Sequence, residues 1–174
     1  MLKLCLTFGL IAGLVVGVPM FTLTVVLPGH EAGMLITYLV MLLSLSAVFV
    51  AIKRHRDETL GGVIRFWPAL AIGLGISMVA GVFYVAAWEA AVAVTHFDFP
   101  DAYAKAEIAQ KAVAGVSEAE LQRFTAEMEE WRQSYSNPFF RLPMTFMEIF
   151  PVGVLVSLIS AGLLRNSRFL PARR

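Results

Sequence analysis

The chain has 174 residues, of which 58% are hydrophobic and 16% charged, with 14 Lys and Arg against 13 Asp and Glu. Soluble domains carry about a quarter charged residues, so an ordinary soluble fold is excluded, and a net charge of +1 provides no field for holding nucleic acid. A single cysteine, Cys5, rules out an internal disulfide and a Cys-rich metal centre.

The apolar residues fall into four long blocks, each matching the roughly 20 residues a helix needs to cross a bilayer core. Leu4 to Leu27 is 24 residues without a charge. Its length, the internal Pro19 and the absence of a small-residue cleavage site argue for a retained helix rather than a secretory signal. Gly9, Gly13 and Gly17 form a doubled G-x-x-x-G ridge along it. Such ridges let neighbouring backbones approach closely, here within the chain or in a dimer.

Ala32 to Ile52 is the second block, with only a weak small-residue ridge at Ala47 and Ala51. The basic stretch Lys53-Arg54-His55-Arg56, with Arg65, is expected to fill the connection to the third helix. That helix is expected over residues 66–92, with Pro68 in its first turn and a ridge of Gly73, Ser77 and Gly81.

A polar segment over residues 97–138 comes next. Asp101 to Ala114 is Ala-rich and ends at Gly115, and Ser117 with Glu120 forms a capping box for a second helix. Leu121, Phe124, Met128, Trp131 and Tyr135 recur at spacings of three and four, an amphipathic stripe that Asn137-Pro138 stops. The stripe can be covered by the Ala-rich helix in a hairpin, by the membrane interface, or by a partner. The acid-rich opposite face disfavours the membrane interface.

The fourth block, Leu142 to Leu164, has Pro143 at its start, Pro151 as a kink, a ridge of Gly153, Ser157 and Ala161, and one charge, Glu148. Seventeen residues before Arg165, Glu148 stands about 25 Å from that helix end, inside the hydrocarbon. An ionisable group there is costly unless it is partnered. Tyr84 and Tyr38 count to a similar height, with Thr22, Thr24 and Thr145 near the same layer. A candidate buried polar site therefore consists of Glu148, Tyr84 and Tyr38. It can be a satisfied acid fixing helix register, a proton or cation site, or a contact in an oligomer. Glu89 counts higher, beside Trp88, with His96 and Arg141 further out.

Positive charge marks the cytoplasmic side of membrane helices. Residues 1–3, 53–65 and 165–174 hold nine basic residues in 26, Arg173 and Arg174 among them, whereas Ala93 to Arg141 holds five against eight acids. Pro28 to Glu31 has no Lys or Arg. Both ends are thus expected in the cytoplasm and the 97–138 segment outside it. The whole chain, residues 1–174, reads as one all-α domain, a four-helix transmembrane bundle with an extracytoplasmic helical insert between helices three and four.

No phosphate loop, G-x-S-x-G or H-E-x-x-H motif is present, so neither an enzyme nor a cofactor is expected. His30, Glu31, Glu89 and His96 are assigned to one face but lack metal-ligand spacing, and no metal is expected. The stretches GMLITYLVMLLSLSAVFVAIKRHRDE from Gly33, LGGVIRFWPALAIGLGIS from Leu60 and NPFFRLPMTFMEIFPVGVLVSLISAGLLR from Asn137 resemble the bacterial family catalogued as domain of unknown function 4199. The resemblance implies a small four-helix protein of the bacterial inner membrane and supplies no activity. Two function classes follow: a structural or partner-binding protein held by lipid, with a homo-oligomer or a membrane protein as partner, or an oligomeric ion or small-solute carrier using Glu148.

Overall fold

A computed structural model describes residues 1–26, 33–96 and 98–171 of the chain. These residues form six helices and no strand: α1 (Leu2–Val26), α2 (Gly33–Thr59), α3 (Phe66–Val94), α4 (Asp98–Val113), α5 (Glu118–Ser136) and α6 (Pro138–Leu164). Four of them, α1, α2, α3 and α6, are long and apolar enough to cross a membrane. Their outward faces are apolar, as Leu14, Leu43, Val82 and Leu155 illustrate, which suits hydrocarbon rather than water.

Around the bundle the order is α1, α3, α6, α2, so α3 packs against both α1 and α6 while α1 and α6 sit diagonally. Small residues set this order. A Cβ placed on Gly9 would lie 2.5 Å from the Val79 Cβ, one on Gly13 2.5 Å from the Phe83 Cβ, and one on Gly17 3.1 Å from the Ala87 Cβ. The two series rise together, so α1 and α3 run parallel. The other face of α3 meets α6 in the opposite sense. Gly73 abuts Ser157, Ser77 abuts Gly153, and Gly81 abuts the Phe146 ring. The Ser77 and Ser157 hydroxyls lie 3.4 Å apart, and each also donates to a carbonyl one turn earlier in its own helix, of Gly73 and Gly153 respectively. The Gly9 ridge thus packs within the chain, against α3.

Several helix ends differ from expectation. The second helix was expected to stop at Ile52 but continues to Thr59. Lys53 pairs with Asp57 at 2.6 Å and Arg54 with Glu58 at 2.9 Å, four-residue spacings that stabilise a helix surface. Gly61 and Gly62, at φ of 65° and 92°, then make the turn. Arg56 proves to be fully buried instead of lying in a basic connection. Its guanidinium donates to the carbonyls of Phe169 at 3.0 Å and Leu170, and to Leu164 at 3.4 Å, closing the C-terminal end of α6 and the residues after it.

The fourth spanning helix begins at Pro138, not Leu142, so Pro143 lies inside it. Asn137 caps two helices at once. It ends α5, and its side-chain oxygen accepts from the Phe139 amide at 3.0 Å to start α6. Within the segment expected over 97–138, residues 98–136 form the α4–α5 hairpin, turning at Gly115 (φ 73°) and restarting where the Ser117 hydroxyl accepts from the Glu120 amide at 3.3 Å. The α1–α2 connection, His30 and Glu31 included, and Arg173 and Arg174 lie outside the described residues.

Candidate functional site

The hairpin is fastened to the bundle where α3 ends and α6 begins. Arg141, in the first turns of α6, is buried. Its Nε and Nη2 donate to the two Glu89 carboxylate oxygens, each at 2.6 Å, and its Nη1 donates to the Tyr135 carbonyl at 3.0 Å. The bidentate geometry suits a guanidinium and makes a strong, orienting pair. Tyr135 is itself buried, with Arg141 over its ring at 5.8 Å. The Trp88 indole N–H donates to its hydroxyl at 2.7 Å. Burial pushes the Tyr135 hydroxyl up to about 12, against the smaller opposing effects of Trp88 and Arg141.

The stripe is turned inward. Phe99 packs on Trp88 and Tyr103, and Tyr103 packs on Trp131, with ring centroids 4.8, 5.7 and 5.1 Å apart. Trp131 and Tyr135 follow at 4.8 Å. Leu121, Phe124, Met128 and Trp131 are half-buried, and Lys111 of α4 sits 4.5 Å above the Phe124 ring. Of the covers considered for this stripe, the hairpin is the one present: α4 occupies it, so a partner using it would have to open the pair. Arg132 ties the two helices from outside, donating to Asp101 at 2.8 Å and to Glu129 at 2.8 and 3.0 Å. That hydrogen bonding holds the Glu129 carboxyl below the usual carboxylate range.

Deeper in the bundle, Thr145 and Glu148 continue the face begun by Arg141, at intervals of four and three residues. They oppose Trp88 and Tyr84, one turn apart on α3. Thr145 is buried, donates to the Arg141 carbonyl at 3.0 Å, and meets the Tyr135 hydroxyl. The Tyr84 hydroxyl is paired with the Glu148 carboxyl. The structure therefore brings Glu148 and Tyr84 together. Burial applies to Tyr84 alone. Glu148 reaches the bundle surface and Tyr38 is 45% exposed, so of the three residues expected in a buried site only Tyr84 is enclosed.

Counting from Leu142 concealed Arg141, which that count placed outside the bundle. The signal was present: Asn137-Pro138 is both a stop and a start, and a helix from Pro138 brings Arg141 onto the face of Glu148. Glu89 then follows as its partner. Among the described residues no group of three or more His, Cys, Asp or Glu is arranged to hold a metal ion. A surface cavity of about 320 Å³ is an apolar groove of α1 and α3 lined by Gly13, Gly17, Phe21, Phe83 and their neighbours. It has no chemistry-bearing side chain.

The sequence model of the family described as "Protein of unknown function (DUF4199)" matches residues 7–166. The chain belongs to this family. No match was found among curated proteins or among solved structures. The match spans the Gly9 ridge, the hairpin and α6 of this chain.

Proposed function

We propose that this DUF4199 protein is a multi-pass protein of the bacterial cytoplasmic membrane, with both termini inside, that presents its α4–α5 hairpin outside as a fixed platform for a partner. The observation supporting this is the mounting of the hairpin. Its base is held by the Arg141–Glu89 pair and the Trp88–Tyr135 hydrogen bond, and its apolar stripe is consumed internally. What it offers outward is the polar face of α5, with Glu118, Arg123, Glu127 and Glu130 exposed. Between Asp98 and Ser136 there are eight acids and four bases, so the partner should present a basic surface and bind less well as salt rises.

Two measurements test this reading. With Cys5 replaced by serine, a membrane-impermeant maleimide added to intact cells should label Gly115→Cys and leave Glu58→Cys untouched. Labelling of Glu58→Cys alone would overturn the orientation. A photo-cross-linker at Glu127 should then give a discrete protein adduct that Glu130→Lys weakens. Adducts with lipid only would sink the platform.

A second reading, an oligomeric carrier or channel for a cation or small solute, is favoured by the line of Arg141, Thr145 and Glu148 descending from the hairpin end. For that reading Glu148→Gln should abolish solute or ion movement in proteoliposomes while leaving the fold intact. No enzymatic role is assigned.

A further inference from the structure

The starts of α1 and α3 and the ends of α2 and α6 meet at one end of the bundle. The Arg56 guanidinium reaches the carbonyls that follow α6, and the Cys5 thiol donates to the Ile72 carbonyl at 3.7 Å. Here residues 1–3, 53–67 and 164–171 hold seven Lys and Arg against two acids, Asp57 and Glu58. Both acids are already engaged by Lys53, Arg54 and Arg56. Arg65, Arg165 and Arg168 are exposed and form no ion pair among the described residues. Three cations thus stand without a counter-ion at the level where the apolar spans end.

Apolar side chains are interleaved with these charges. Leu60, Val63 and Trp67 are 43%, 61% and 74% exposed on either side of Arg65, in the α2–α3 turn and the first turn of α3. They continue the apolar outward faces of the spans to the bundle end. A tryptophan so placed settles at the headgroup level of a bilayer, and unpaired bases beside it attract anionic lipid. We infer that this end of the bundle is a binding surface for anionic phospholipid. Leu60, Val63 and Trp67 sit at the top of the acyl chains, and Arg65, Arg165 and Arg168 meet headgroup phosphates. The hairpin end has the opposite charge balance, and its Arg141 is already held by Glu89. The inference rests on membrane insertion as proposed above, but on neither the orientation nor the hairpin's partner.

The test places the full chain, with Cys5→Ser and a fluorophore on Ser167→Cys, in phosphatidylcholine vesicles. Resistance to alkaline extraction reports insertion by itself, and a chain that extracts would overturn both this inference and the membrane reading. Around the inserted chain, trace labelled phosphatidylglycerol should be enriched over labelled phosphatidylcholine about fivefold, the effect of one well-placed cation, read as energy transfer. Arg65→Gln with Arg168→Gln, both exposed and unpaired, should bring the two lipids near parity. A fluorophore on Phe139→Cys, at the other end of α6, should show no preference. The share of tryptophan emission that Trp67→Phe removes should be quenched by lipid brominated near the headgroup. Equal transfer to both lipids, a preference that survives the double change, or the same preference at Phe139 would overturn the proposal. So would Trp67 emission that brominated lipid leaves untouched. A preference abolished by inorganic phosphate but not by chloride of equal ionic strength would also overturn it, assigning the surface to a free anion.

Discussion

Arg141 and Arg56 are almost wholly enclosed, yet they serve different ends of the bundle. Arg141 is matched by a carboxylate. Replacing it with methionine leaves Glu89 without its bidentate partner in a site where only 30% of that side chain is accessible. Breaking a fully buried pair costs 3–5 kcal/mol, and with Glu89 partly screened the expected loss is about 2 kcal/mol. It is read as a lower unfolding temperature in detergent, and the paired change Glu89→Gln with Arg141→Met should recover part of it. Arg56 pairs with its neighbour Asp57 at 2.6 Å, which Lys53 also holds, and caps carbonyls, so Arg56→Met should leave the bundle standing but release residues 165–171, seen as new protease sensitivity there.

Tyr135 gives a pH handle. Its hydroxyl, raised by burial to about 12, is neutral in the folded state where a free tyrosine has begun to ionise near 10. The corresponding stability is complete below about pH 10 and is lost as pH rises towards 12. Trp88 fluorescence should report hairpin release in that window, and Tyr135→Phe should remove the transition. The sequence marked Glu148 readily because it is the lone charge in an apolar run. It hid Arg141 and Arg56 because each borders a polar segment, where position in a sequence does not distinguish a solvated charge from an enclosed one.

Among the helices, glycine does the positioning. The added Cβ on Gly13 would overlap the Phe83 side chain, whereas that on Gly17 would sit 3.1 Å from a methyl group and that on Gly162 would meet nothing. Gly13→Ala should therefore cost about 2 kcal/mol by overpacking, Gly17→Ala distinctly less, and Gly162→Ala nothing measurable. Equal effects at Gly13 and Gly162 would refute the account of α1–α3 packing. The ridges themselves were legible, since spacing alone exposes them. Which ridge meets which helix was not, because small residues specify closeness without naming a neighbour. Helix limits were misplaced where charge was taken as the end of a helix. Lys53 to Glu58 continue α2 through their own four-residue ion pairs, and Pro138 begins α6 before the apolar block does.

Over the whole molecule, the four long apolar helices and the polar hairpin were evident from hydropathy, and the ring order α1, α3, α6, α2 was beyond its reach. That order has a consequence for how the protein is made. α1 leaves the ribosome well ahead of its main neighbour, for Val79 is synthesised 70 residues after Gly9. At bacterial and eukaryotic elongation speeds of 5–20 residues per second the interval is roughly 4–14 s. Throughout it the glycine furrow of the newborn first helix faces lipid or the insertion machinery, and α2 alone does not fill it. A nascent chain stalled before the third helix should therefore be held by an insertase or degraded, and its survival should begin abruptly once Phe83 has entered the bilayer.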